Sequence, residues 1–228
     1  MPPADGPPTE GARDAPQGLP APGETSRSVT AELLRKYDKP GPRYTSYPTA
    51  VEFNEAFDER AYLAKLDEAA AAPDEPLSFY AHLPFCEERC SFCGCFVIIT
   101  QKPEVSVRYL DYLHREIAML AGRLKDRRRL TQYHWGGGTP TYLSVSQMAS
   151  LHEVVTRHFE IDPHAEVAIE VDPRVTSPAQ IDWLRGAGFN RLSMGIQDFT
   201  HEVQDAINRI QGEDLTRVLF RQDRKSVV

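Results

Sequence analysis

The chain has 228 residues, of which 41% are hydrophobic and 26% charged, the balance of an ordinary globular protein of one or two domains. It contains no run of about 18 apolar residues, so no membrane span is expected. A formal net charge of −7 argues against a general nucleic-acid binder but says little about an anionic small molecule, which local basic residues would serve.

Residues 1–28 are rich in Pro, Gly, Ala, Thr and acids, lack apolar periodicity and read as a disordered leader. A transit peptide is the rival reading, but such segments are Arg-rich and acid-poor, and here acids outnumber bases. Val29 to Tyr37 suits a short helix. Lys39 to Thr49 carries three prolines and one glycine, which force an extended path. On physics alone it is a surface arm packing Tyr44 and Tyr47 on the main domain. The sharper reading is a substrate flap with Arg43 facing a carboxylate. Asp58 to Ala72 predicts a helix with Ala61, Leu63, Ala64 and Leu66 near one face, ended by Pro73 and Pro76.

Leu77 to Leu83 reads as a strand of mixed apolar pattern, and a cysteine loop follows it. All four cysteines, Cys86, Cys90, Cys93 and Cys95, fall within ten positions. The C-x3-C-x2-C spacing puts three thiolates on one tight loop, where the sulfurs are expected to converge on a single metal centre. Three chemistries compete. Structural zinc wants four closed ligands, usually as two separated pairs, and no second pair exists. Disulfides need an oxidising compartment, and no secretory signal is visible. An iron–sulfur cluster is held by thiolates, and three protein ligands would leave one iron open; the spacing favours this reading.

After Thr100, Val105, Tyr109, Leu113, Ile117, Leu120 and Leu124 recur at helical steps. Asp126 to Arg129 is most simply a solvated helix end. A short strand through Gln132 to Trp135 then runs into Gly136, Gly137 and Gly138. Glycines let backbone approach a ligand and free N–H groups point at it, although a plain turn explains three glycines equally well. Ser144 with Gln147, and Ser177 with Gln180, are capping boxes opening two further helices. The first carries Met148, Leu151 and Val155 inward to about Phe159; the second carries Ile181, Leu184 and Ala187 and ends at Gly186 and Gly188. Between them Glu166 to Val171 is a strand with Glu170 and Asp172 at its carboxyl end. An acid there can accept from ribose hydroxyls or pair with Arg174 or Arg191, and spacing does not choose. Asn190 to Ile196 is a fourth strand delivering Gln197 and Asp198. Thr200 opens a helix with Val203, Ile207 and Ile210 on one face, and a helix arginine such as Arg209 is ordinarily a surface group.

Strand and helix alternating at this spacing imply a parallel sheet with right-handed crossovers. The segment from Leu219 to Val228 breaks the pattern and reads as a non-native tail after a truncated frame. The fourth strand is then an open, sticky edge.

The cysteine string FYAHLPFCEERCSFCGC resembles the radical S-adenosylmethionine superfamily. With GPRYTSYPTA, HWGGGTPTYL, IEVDPR, GFNRLSMGIQDF and an AINRIQ helix, it is similar to the oxygen-independent coproporphyrinogen III oxidase family over roughly residues 33–213. A related haem chaperone lacks the Arg-Tyr-Thr-Ser-Tyr-Pro arm and has an aromatic residue at the place of Cys95, so both features favour the oxidase. A zinc-stabilised binding module and an inactive fragment are two further rivals for the same residues.

The resemblance implies an α/β fold: a partial (β/α) barrel over 77–213, truncated after about four βα units, with an N-terminal helical arm over 29–76 and a tail over 214–228. It implies one 4Fe–4S cluster on Cys86, Cys90 and Cys93, with Cys95 needed but not a ligand. Tyr80, Gly137 and Glu170 match positions that hold one S-adenosylmethionine. Phe92, Gly138, Thr139, Gln197 and Arg209 match positions that hold a second. The implied substrate is coproporphyrinogen III, with Arg43 as a candidate carboxylate partner and an external electron donor and acceptor. A monomer in a reducing cytoplasm is expected.

Overall fold

The computed structural model describes residues 30–38 and 52–224. The chain divides into two compact units, one up to Asn54 and one from Glu55 onward. In the first, α1 spans Ala31–Tyr37, two residues later than the expected start. The expected leader over 1–28 and the arm with Arg43 lie outside the described residues.

The second unit holds α2 (Glu59–Ala70), β1 (Leu77–Leu83), the two-residue strands β2 (Phe85–Cys86) and β3 (Ile98–Ile99), α3 (Pro103–Leu124), β4 (Arg129–Gly137), α4 (Val145–His158), β5 (Glu160–Val171), α5 (Pro178–Gly186), β6 (Arg191–Met194), α6 (His201–Ala206) and α7 (Glu213–Arg224). One parallel sheet has the order β1-β4-β5-β6, the arrangement expected of a partial (β/α) barrel. Leu83 pairs with Gly137 and Val171 with Met194, while Trp135 lies opposite Ile169. The four carboxyl ends are therefore level, and the loops leaving them share one rim.

Side chains alternate across the sheet, as strand geometry requires. Ala81, Leu83, Tyr133, Trp135, Val167, Ile169 and Val171 are buried in the core. The opposite face is polar. Ser78 donates to Gln132 at 2.7 Å, Tyr80 stacks on His134, and Arg191 pairs with Glu166 at 2.6 Å. Both capping boxes form as expected. Each stabilises its helix start by about 1 kcal/mol, and Met148, Leu151, Val155, Ile181 and Leu184 are buried below them.

Several boundaries differ from expectation. Ala64 is exposed, because Leu66 and Ala69 are the α2 residues packed on the core. The turn at Asp126 to Arg129 is not merely solvated: Arg127 donates to the carbonyls of Ala69, Glu75 and Pro76 at 2.9–3.0 Å and pins the α2–β1 link. β5 starts six residues early because the register shifts between Leu130 and Gln132, which accommodates Pro163. α6 stops at Ala206, and the chain turns through Asn208 at φ 52°. Ile210 is exposed, so the expected 207–210 turn of helix is absent. The pattern does not break near Leu219: that side chain is buried on the inner face of α7, which packs against α5. Gln222 donates to the Pro178 carbonyl at 3.2 Å.

Candidate cluster and cofactor site

The cysteine loop is tied at both ends. Phe85 and Cys86 pair with Ile98 and Ile99, with Ile98 N donating to Pro84 O at 2.7 Å and Thr100 N to Cys86 O at 3.0 Å. Its middle is held to the end of α6, where Ser91 N donates to Ile207 O at 2.9 Å and Asn208 Nδ2 to Arg89 O at 2.9 Å. The three glycines fit this join. A Cβ on Gly138 would stand 2.7 Å from the Pro84 carbonyl carbon, and one on Gly137, at φ 117°, would stand 2.8 Å from His82 Nδ1. Their N–H groups are not free as expected. Gly137 donates to Glu170 at 3.2 Å, Gly138 to Leu83 O at 2.9 Å and Thr139 to Phe85 O at 2.8 Å. The glycines thus seat the cysteine strand against β4.

All four cysteines are free thiols and line one cavity of about 270 Å³, together with Phe92, Gly137, Gly138, Thr139, Glu170, Gln197 and Arg209. Every candidate among the described residues except Tyr80 is on that wall. Tyr80 lies beside it: a Cβ on Gly136 would stand 3.0 Å from the Tyr80 hydroxyl and 3.1 Å from the Glu170 carboxyl carbon. A larger cavity of about 570 Å³ near the two capping boxes carries neither cysteine nor histidine.

The sulfurs share the cavity without forming the convergent set expected: among the described residues no three His, Cys, Asp or Glu side chains are grouped to hold a metal. Burial pushes the Cys86 thiol up, against its contact with the Thr139 hydroxyl, and the charges of Cys93 and Cys90 add to the rise. Cys95 is likewise pushed up by burial and by Cys93.

Glu170 pairs with neither Arg174 nor Arg191. Its carboxylate accepts from Gly137 N and stands 3.5 Å from His134 Nε2. Arg174 instead grips Asp172 at 2.7 Å. Arg209 is no surface group: it is buried, pairs with Asp172 at 3.0 Å and donates to Gly195 O at 2.8 Å. Burial pushes the Asp172 carboxyl up, but the hydrogen bonds of Arg174 and the charge of Arg209 outweigh it and hold the carboxyl below its ordinary value. Gln197 sits at φ 66°, a costly conformation for a non-glycine residue.

Sequence reasoning passed over His82 and His134 and left the partner of Asp172 open. His82 Nε2 lies 3.0 Å from Phe96 O and so fixes the loop exit. The available signal was the two-residue polar alternation of Ser78, Tyr80 and His82 with Gln132 and His134. The residue types on the wall are those the expected groups need: three thiols for iron, guanidinium N–H groups at one of those sulfurs, and a carboxylate and amide.

The profile of the radical SAM superfamily matches residues 80–219. The oxygen-independent coproporphyrinogen III oxidase of Escherichia coli K12 is 47% identical over 193 residues, covering 85% of this chain and 41% of that protein. A protein of the same name from Mannheimia haemolytica is 48% identical over 141 residues, 62% of this chain and 94% of that one. A solved structure titled as the coproporphyrinogen III oxidase of Escherichia coli, a radical SAM enzyme, aligns with a TM-score of 0.75 at 45% identity, covering 85% of this chain and 42% of that one. The chain spans about two fifths of the length of the Escherichia coli relative.

Proposed function

The chain belongs to the radical SAM superfamily and, within it, to the oxygen-independent coproporphyrinogen III oxidases, and on that premise we propose that it carries the cluster and cofactor site of such an oxidoreductase. The observation that carries this reading is the single cavity lined by the cysteines, Glu170, Gln197 and Arg209.

Cys86, Cys90 and Cys93 would hold one 4Fe–4S cluster, and Cys95 would act beside it without ligating iron. Tyr80, Gly137 and Glu170 would hold one S-adenosylmethionine, and Phe92, Gly138, Thr139, Gln197 and Arg209 a second. When bound, the cluster and S-adenosylmethionine would supply the radical chemistry that converts a propionate to a vinyl group with loss of carbon dioxide. Two propionates of coproporphyrinogen III would be treated, giving protoporphyrinogen IX in haem biosynthesis.

The chain's own residues bind and orient. Glu170 accepts from Gly137 N and stands 3.5 Å from His134 Nε2, so its carboxylate can accept ligand hydroxyl or ammonium donors. Arg209 offers a guanidinium, suited to a carboxylate. Arg43 is proposed as a substrate carboxylate partner. The chain would work as a monomer in a reducing cytoplasm, with an external electron donor and acceptor. Among the described residues no helix is long and apolar enough to cross a membrane.

The test is anaerobic reconstitution with iron and sulfide, then incubation with S-adenosylmethionine, a chemical reductant and coproporphyrinogen III. Formation of 5′-deoxyadenosine together with decarboxylated porphyrinogen is expected. A cluster-loaded chain that yields no 5′-deoxyadenosine overturns the reading.

A further inference from the structure

We propose that Arg174, aimed by Asp172, is a positioning residue for Cys90 that sets how readily the iron–sulfur centre takes up an electron; this rests on the reading of Cys90 as a cluster ligand. Two guanidinium groups reach the Cys90 sulfur, Arg174 through Nη2 and Arg209 through Nη1, each at 3.6 Å. Cys86 meets the Thr139 hydroxyl instead, at 3.5 Å.

Arg174 has little freedom to turn away. Its Nε donates to both Asp172 oxygens at 3.1 and 3.2 Å, its Nη2 donates to Oδ2 at 2.7 Å, and its backbone N–H donates to Oδ1 at 3.0 Å. The side chains are mostly buried, with 18% of Arg174 and 8% each of Asp172 and Arg209 exposed. Two guanidinium charges against one carboxylate leave one net positive charge beside Cys90. The exposed Glu88 carboxylate, 3.8 Å from Arg174 Nη1, offsets it weakly. Arg209 Nε is also buried without a partner among the described residues, so the local donors exceed the local acceptors. A thiolate-held cluster becomes more negative on reduction, and N–H donors and positive charge at a ligand sulfur favour that state. Arg209 is already assigned to S-adenosylmethionine, whereas Arg174 faces the sulfur in its own right.

The experiment is a redox titration of the reconstituted 228-residue chain, followed by electron paramagnetic resonance without S-adenosylmethionine, with iron and sulfide counted in each sample. Losing one charge-assisted hydrogen bond is worth about a factor of ten. At the wild-type midpoint, Arg174→Gln is therefore expected to lower the reduced-to-oxidised ratio about tenfold, which is 59 mV for one electron. Arg174→Lys keeps the charge and recovers part of the loss. Glu88→Gln removes the opposing charge and shifts the midpoint upward, by about threefold or less in the same ratio. Normal cluster content with midpoints unchanged in Arg174→Gln and Glu88→Gln overturns the proposal while the proposed function stands. If Arg174→Gln does not fold or load, the sign of the Glu88→Gln shift decides. If the wild-type chain binds no cluster, the functional reading falls and this proposal falls with it.

Discussion

The strand-end shelf of β4 and β5 and the loop of Cys86 to Cys95 face one cavity, yet they are built on opposite principles. The shelf satisfies most of its polar groups itself. Trp135 and Ile169 are fully buried behind it, Glu170 takes the Gly137 N–H, and Asp172 sits between two guanidinium groups. The loop does not. Cys95 is exposed, as is Phe92, and Phe96 just beyond is 75% exposed. Cys93 raises the cost of ionising both Cys86 and Cys95. The shelf lends the loop charge at one point, Cys90. The difference leaves the scaffold to packing and hydrogen bonds, and the loop to the iron–sulfur centre proposed for it. If the loop holds iron, as proposed, cluster binding and loop order are expected to be coupled.

The comparison breaks first if the shelf is not carried by its core. Trp135→Ala is expected to cost about 3–5 kcal/mol in urea unfolding, and a loss under about 1 kcal/mol would refute the shelf's reliance on that aromatic core. Asp172→Asn strands two mostly buried guanidinium groups and is expected to cost about 3 kcal/mol. The sign with pH follows from its lowered carboxyl value. The stabilisation is fully present above pH about 4, the unfolded value, and is lost as pH falls through the lower folded value. The variant should therefore show a flatter acid limb in stability measured against pH, and an unchanged limb would contradict the pairing.

Where shelf and loop are joined, Gly138→Ala drives a methyl into the Pro84–Phe85 backbone. A loss of about 1–3 kcal/mol is expected, with reduced iron uptake. The smallest effects are expected in the loop itself. Cys95→Ala should move the stability of the metal-free chain by no more than about 0.5 kcal/mol and keep the iron and sulfide content. Cys93→Ala should be similarly mild without metal and lose the cluster. Equal iron in both variants would undo the ligand assignment.

Local signals carried much of the fold. Leu77–Leu83 is the strand its pattern indicated, and the side-chain–backbone exchanges at Ser144 and Ser177 need only residues three apart. Long-range partners overrode the rest. Val203, Ile207 and Ile210 mimic a helical stripe, but Gln204 Nε2 bonds to the carbonyls of Asp198 and Gln211 and closes the turn early. Arg209 is drawn inward by Asp172, 37 positions away, a distance no local rule spans. Arg127 finds its three carbonyls more than 50 positions upstream. The cysteine spacing placed four sulfurs on one cavity but carried no information about the burial that raises the Cys86 and Cys95 thiols.

The most direct test of the coupling between loop and metal is electron paramagnetic resonance of the anaerobically reconstituted, reduced chain, recorded with and without S-adenosylmethionine. The signal of one 4Fe–4S cluster that changes when S-adenosylmethionine is added is expected, because three cysteine ligands would leave one iron without a protein ligand. Soluble, folded protein that takes up zinc but no iron and sulfide, or a cluster whose signal ignores S-adenosylmethionine, would contradict it.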